Sequence, residues 1–344
     1  MPPARPELTT PEGIMTLATA FQRSRILLTA VDLGVFTALS SLSGASGDPG
    51  EPVSPAAVAE RIKADPRATD RLLNALTAMG LVRKEHGLFS NTELSELFLV
   101  EGREDYLATL RHTSSLYQSW ATLTEAVRKG GSVEDSSAPF HDEARTQAFI
   151  EAMHRRALKS APGLAAKLDL TGVGRLLDVG GGSGVYAMAF ARAKPGLSAT
   201  VYDLPPVVKL AERYIREAGM AGRVSTRAGD YRKDDLGLGY DLAFFSAVAH
   251  INSPEMNRQL MRKAAQALND GGRIVIQDFV MEPDRVLPER GAMFALNMLV
   301  NTTAGDTYTE DEISSWLAEA GCRHIERIDS GPGTAMIVGT LPEG

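Results

Sequence analysis

Residues 175–184 read RLLDVGGGSG. The first five have the length and composition of a short buried strand, and the glycines turn it straight into the helical stretch VYAMAFARA. Glycines in such a turn let a ligand approach the backbone and let the helix pack closely on the strand. Outward from here, strands and helices alternate. ATVYD (199–203) precedes a helix at 206–218, then come RVSTRAG (223–229) and YDLAFFSAV (240–248). A helix at 254–268 leads to RIVIQDF (273–279), followed by helical stretches near 289–301 and at 309–320. HIERID (324–329) and AMIVGTL (335–341) close the chain. This order predicts an α/β fold: a doubly wound, mostly parallel, Rossmann-like sheet, with the last two strands as an antiparallel edge.

The amino-terminal part has a different texture. Residues 1–12 read as an arm, and 14–42 as two short helices with a break near Gly34. A Gly/Pro/Ser loop, SGASGDPGEP (43–52), follows. Ser54 caps one short helix, and Asp65-Pro66 caps another that Gly80 closes. LVRKEHGLFSNT (81–92) then gives two strands around Gly87. Helix, turn, helix and a two-stranded wing form a winged-helix pattern. Its second helix carries Arg67 and Arg71 but also Asp70, while Leu72, Leu73, Leu76 and Met79 are suited to a core. Packing or dimerisation fits this better than phosphate contacts. Three parts are expected: a winged-helix-like dimerisation domain at 1–103, connecting helices at 104–168 with a loop at 129–139, and a ligand-binding domain at 169–344.

Composition narrows the function. The chain has 344 residues, about two domains at roughly 150 residues each. Lys and Arg number 36 against 43 Asp and Glu, a net charge of −7 that disfavours nucleic-acid binding. A single cysteine, Cys322, excludes an internal disulfide, and six scattered histidines without H-x-x-x-H spacing predict no metal site. No apolar run reaches the 18 or so residues of a membrane span. The Pro-rich start lacks a signal peptide's apolar core, so the expected compartment is the cytoplasm.

A glycine-rich turn alone is a weak signal, and Gly182, Gly184 and Ala187 with Asp203 also fit a nicotinamide fingerprint. Three carboxylates favour another ligand. Asp178 precedes the glycines, where it would repel a pyrophosphate but suit an ammonium group. Asp203 ends the second strand, where it can accept both ribose hydroxyls. Asp230, after Gly229, ends the third, where it can accept from an adenine amino group. Acids at three successive strand ends describe a site for a positively charged nucleoside without phosphates, and S-adenosylmethionine matches.

The runs LLDVGGGSG, VYDLPPVV, AGDY, FFSAVAH, LNDGGRIVIQDF and GDTYTEDEISSWLAEAG resemble the S-adenosylmethionine-dependent O-methyltransferases of the plant caffeic-acid and acetylserotonin type. The resemblance covers nearly the whole chain, because that family carries an amino-terminal winged-helix dimerisation domain. It implies Gly180 and Gly182 at the methionine end of the cofactor, Asp203 on ribose, and Leu204, Asp230 and Tyr231 about the adenine. It places a general base at His250 and an orienting acid at Asp278. Met153 and Met298 match methionines that sandwich a flat acceptor. Ser246 joins the cofactor set, and Trp120 and Thr302 the acceptor set. Two positions depart from the family. Ile251 follows His250 where Asp is usual, and Thr307 stands where a Glu is common, with Asp306 adjacent. Asp278 is therefore expected to orient the base alone.

The reading that results is methyl transfer to the hydroxyl of a small aromatic or polyketide-like acceptor, in a homodimer whose arms reach the partner's catalytic domain. The alternatives are carbon or nitrogen methylation, a non-methylating enzyme that keeps the cofactor, and a winged-helix DNA-binding regulator.

Overall fold

The computed structural model describes residues 9–43, 51–133 and 143–344. The arm at 1–12 and the loops at 43–52 and 129–139 fall partly outside them, and His141 wholly so. The chain divides into two compact units, Met1–Tyr117 and Gln118–Gly344, so the division runs within the stretch expected to connect domains.

In the first unit, residues 11–43 form three helices rather than two: α1 (Pro11–Thr19), α2 (Phe21–Asp32) and α3 (Val35–Ser43). Gly34, at φ +69°, makes the expected second break. The first, at Ala20, carries neither Gly nor Pro. There the Thr16 and Thr19 hydroxyls donate to the Glu12 and Met15 carbonyls, a side-chain bond that competes with the helix ladder. Helix α1 also starts inside the expected arm, because Thr10 caps it through the Gly13 amide and Pro11 sits in its first turn. Next come α4 (Pro55–Arg61) and α5 (Pro66–Ala78), capped by Ser54 and Asp65, then the hairpin β1 (Val82–Glu85) and β2 (Leu88–Asn91). Helices α6 (Glu93–Phe98) and α7 (Thr109–Trp120) complete this part. Val31, Phe36, Leu39, Leu73, Leu76 and Phe89 are its core, while Ile14, Met15, Leu17 and Phe21 are exposed.

The second unit continues with α8 (Leu123–Lys129) and α9 (Glu143–Ala165). The alternating part follows: β3 (Arg175–Val179), α10 (Val185–Ala193), β4 (Ser198–Asp203), α11 (Pro205–Glu217), β5 (Val224–Ala228) and β6 (Tyr240–Ser246). After it come α12 (Pro254–Ala267), β7 (Leu268–Met281), α13 (Glu289–Asn301), β8 (Tyr308–Thr309), α14 (Glu310–Glu319), β9 (His324–Gly331) and β10 (Thr334–Thr340). The sheet runs β5-β4-β3-β6-β7-β10-β9, with β8 a two-residue parallel addition on β7. Strands β3 to β7 are parallel, and β10 pairs antiparallel with both β7 and β9. Alternate strand residues enter opposite layers: Leu176 packs with Phe190, Ile215 and Phe244, and Leu177 with Phe245, Ile276 and Trp316. The strand order reverses between β4 and β6, at β3, and in such sheets a ligand crevice opens at the carboxyl ends of the strands there. Among the described residues, no single helix is long and apolar enough to cross a membrane.

Candidate active site

The glycine-rich turn follows β3 directly. Gly180 and Gly182 have φ of +67° and +57°, a region that side chains with a Cβ avoid. At Gly180 a Cβ would also lie 2.7 Å from Val248 Cγ2, whereas at Gly182 its nearest neighbour would be Ile150 Cδ1 at 3.9 Å. The turn is thus pressed against Val248, just after β6, at one point and open at the other.

Asp178 lies buried beneath it. Its Oδ2 accepts from the Ala187 amide in the first turn of α10 at 3.2 Å, while Oδ1 has no partner. Burial pushes its pKa up to about 7; the Ala187 amide opposes this and the charge of Asp203 adds to it. Asp203 accepts from the Gly182 amide at 2.8 Å and from the Leu204 amide at 2.7 Å, one bond to each oxygen. Burial raises its pKa to about 6 against those two bonds. Each oxygen keeps a further lone pair for a hydroxyl. An orphaned buried carboxylate oxygen, an open glycine turn and a second carboxylate bonded to that turn fit the cationic nucleoside expected from sequence.

The residues expected beside the adenine, Gly229, Asp230 and Tyr231, are bonded largely to neighbouring side chains and main chain. Gly229 donates to the Asp203 carbonyl at 3.0 Å and has no room for a Cβ above the Tyr202 phenol. Arg232, which the sequence reading missed, grips Asp230 with Nε and Nη2 at 2.9 Å each, and this pair holds the Asp230 pKa below the ordinary value. The Tyr231 hydroxyl donates to Asn252 Oδ1 at 3.0 Å. Ser246 donates to Gln277 Oε1 at 2.6 Å, a bond between β6 and β7. Ala247 follows at φ +59°, a strained conformation for a residue with a Cβ.

That kink leads into a single 3-10 turn, Ala249–Ile251, which sets His250 against β7. The ring is buried. Its Nδ1 lies 2.8 Å and 3.0 Å from the two carboxylate oxygens of Asp278, and the His250 amide donates to the same carboxylate at 3.2 Å. The Phe279 amide donates to Asp278 Oδ1 at 2.8 Å and fixes it in turn. Phe294 of α13 packs edge-on to the imidazole, centroids 4.8 Å apart and planes at 89°. A proton on Nδ1, shared with Asp278, leaves Nε2 as the basic nitrogen.

The segment after α13 supports this turn from behind. Asp306 donates its amide to the His250 carbonyl at 3.0 Å, while its carboxylate accepts from the Thr307 amide and lies 3.5 Å from Arg285. The adjacent acid therefore holds His250 through the main chain, and among the described residues Asp278 is the one carboxylate bonded to the ring. Thr307 is buried and donates to the Gly291 carbonyl at 3.4 Å.

Of the residues expected to contact the acceptor, Met298 is buried on α13 and Met153 half-buried on α9. Trp120 donates from Nε1 to Asn297 Oδ1 at 3.0 Å, and Asn301 donates to the same oxygen at 3.2 Å. Asn297 was not foreseen, because its bond to Trp120 joins residues 177 apart in the sequence. The Thr302 hydroxyl donates to the Met298 carbonyl at 2.7 Å and accepts from the Gly305 amide at 2.8 Å, closing α13. His154 was also missed. Its Nδ1 lies 2.8 Å from Ser183 Oγ, and its ring stacks on Tyr214 at 4.0 Å.

Residues 120–323 match the family described as the O-methyltransferase domain, and residues 15–101 the O-methyltransferase dimerisation domain. The chain is 34% identical to 3-hydroxy-5-methyl-1-naphthoate 3-O-methyltransferase of Streptomyces sahachiroi, covering 95% of this chain and 94% of that protein. It is 29% identical to the N,N-dimethyltransferase OxyT of Streptomyces rimosus, covering 96% of each. Among solved structures, PigF with SAH aligns with a TM-score of 0.86 at 25% identity, over 96% of this chain and 99% of that one.

Proposed function

Because this chain belongs to the S-adenosylmethionine-dependent O-methyltransferase family, we propose that it methylates a hydroxyl group on a small aromatic or polyketide-like acceptor, with His250 as the general base. The observation that carries this reading is the buried His250–Asp278 pair, with Nδ1 2.8 Å from the carboxylate. When bound, S-adenosylmethionine supplies an electrophilic methyl group on a sulfonium centre. Asp178 would hold its ammonium group, Gly180 and Gly182 would admit its methionine end, and Asp203 would accept its ribose hydroxyls. Leu204, Gly229, Asp230 and Tyr231 would surround the adenine, with Ser246 nearby at the end of β6.

A neutral hydroxyl is a poor nucleophile. His250 Nε2 takes the O–H proton as the oxygen attacks, and Asp278 stabilises the resulting imidazolium; such general-base help contributes about 10²–10⁴ in rate. Met153, Met298 and Trp120 supply apolar surface for a flat acceptor. The Asn297 carboxamide, its oxygen fixed by two donors, offers its amino group to a carbonyl or carboxylate on the acceptor. Thr302 is read as a closing bond for α13, since its hydroxyl is engaged in both roles. The exposed apolar residues Ile14, Met15, Leu17 and Phe21, in a segment matched to a dimerisation domain, form a homodimer contact. The protein works in the cytoplasm without nucleic-acid or membrane partners.

An acceptor screen with methyl-labelled cofactor tests the reading. Label transfer to phenolic hydroxyls, lost in His250→Ala, is the expected result. Transfer to amines alone would favour the second reading, nitrogen methylation, which the similarity to OxyT supports.

A further inference from the structure

The glycine-rich turn is held from two sides. Asp203, at the end of β4, accepts from the Gly182 backbone at 2.8 Å. From the other side, α9 reaches the turn through its hydroxyl: His154 Nδ1 lies 2.8 Å from Oγ of buried Ser183, the residue between Gly182 and Gly184. Tyr214 of α11 stacks on the imidazole, planes 19° apart, and so fixes the direction in which Nδ1 points. One turn earlier on α9, Ile150 is the nearest side chain to the open side of Gly182. Burial, and to a lesser degree the charge of Arg155, push the His154 pKa below its ordinary value while Glu217 and Glu151 pull it up, so the bond to Ser183 is one between neutral partners at neutral pH.

We infer that His154 is a positioning residue: its bond to Ser183 sets the glycine-rich turn in the form that receives the cofactor, and because Met153 is its neighbour on α9, the same joint links cofactor occupancy to acceptor binding. This rests on reading the turn as the cofactor's methionine end and Met153 as an acceptor contact. The link is physical. A turn with three left-handed glycines, Gly180, Gly182 and Gly184, is intrinsically permissive. A side-chain bond from a packed helix removes that freedom before the ligand arrives, which raises affinity by lowering the ordering cost of binding.

The test is calorimetric titration of the full-length protein with S-adenosylhomocysteine, alongside acceptor kinetics. His154→Ala and Ser183→Ala should each weaken binding by about three- to tenfold, the usual effect of one hydrogen bond. The double variant should be no weaker than either single one, because the two share one interaction. Acceptor KM should rise with kcat nearly unchanged, since the base is untouched. His154→Asn places a polar atom near the position of Nδ1 and should recover most of the affinity, whereas His154→Gln reaches the position of Nε2 and should not. Unchanged affinity in His154→Ala, additive losses, or equal behaviour of the Asn and Gln variants would each overturn the inference. If His154→Ala fails to fold, the Asn–Gln comparison and Ser183→Ala decide it. Asp203→Ala is the control: normal binding there overturns the cofactor-site reading itself, while weakened binding there beside an unaffected His154→Ala rejects the joint alone.

Discussion

Gly305 lies so close to the carbonyl oxygen of His250 that a Cβ on it would collide with that oxygen and would also stand 2.6 Å from Thr302 Oγ1 and 3.1 Å from the Ile251 carbonyl. The next residue, Asp306, donates its amide to the same His250 carbonyl at 3.0 Å. We expect Gly305→Ala to push the 305–308 segment off the 3-10 turn and shift the imidazole. A misplacement near 1 Å can cost about 100-fold in rate. Steady-state kinetics should show a fall in kcat with S-adenosylhomocysteine affinity retained; a fall in affinity alone would place the effect elsewhere.

Removing the base itself should be more damaging. His250→Ala is expected to lower kcat by about two to four decades, and Asp278→Asn by less, since it only orients and stabilises the ring. The deficit should shrink at alkaline pH and for acceptors acidic enough to ionise unaided. Turnover measured across phenols of graded acidity tests this, and a deficit independent of acidity would assign His250 to substrate positioning.

Asp203 should matter for affinity and not for chemistry. Truncating a charge-assisted hydrogen-bonding group costs about 1.5–3 kcal/mol, roughly ten- to hundredfold in binding. Calorimetry of Asp203→Ala with S-adenosylhomocysteine should show a loss in that range, and wild-type affinity would refute the ribose contact.

The same carboxylates set a pH dependence. Without ligand, burial raises the pKa of Asp203 to about 6 and of Asp178 to about 7. A cationic ligand favours the ionised forms and draws both values down, so binding releases protons. S-adenosylmethionine affinity should therefore rise as pH increases from about 5 to 8 and level off above the ligand-free values. The cofactor-free fold should respond oppositely. Raised pKa values mean that the folded state binds more protons than the unfolded one between about 4 and 7, so these two groups favour folding less as pH rises through that window. Asp178→Asn should flatten both trends, as followed by calorimetry in buffers of different ionisation enthalpy and by thermal melts.

Charged residues on the exposed apolar face of the first unit should dissociate the protein. Leu17→Glu with Phe21→Glu is expected to yield monomers by light scattering at micromolar concentration. A dimer surviving both changes would move the contact off α1 and α2.

Much of this was legible in the residues because the relevant signals are local. The run RLLDVGGGSG dictates a strand, a left-handed turn and a helix, and each expected strand and helix of the alternating part formed within a few residues of its reading. Cap residues at Ser54 and Asp65 marked helix starts correctly because a short polar side chain beside Pro has few other uses. What was missed depends on tertiary distance. The interruption at Ala20 falls beside threonine hydroxyls bonded back to carbonyls of α1 and carries no Gly or Pro. Arg232 on Asp230, Asn297 beneath Trp120, and His154 on Ser183 are side-chain pairings that no periodicity announces. The His250–Asp278 bond joins residues 28 apart; it was expected from resemblance to a family, not from spacing.

The sheet order β5-β4-β3-β6-β7 also draws a seam. The two acids at the glycine turn, Asp178 and Asp203, come from β3 and β4, whereas His250 follows β6 and Asp278 belongs to β7. On this division, a substitution on α13 such as Met298→Ala is expected to change acceptor KM and leave S-adenosylhomocysteine affinity near that of the unaltered protein.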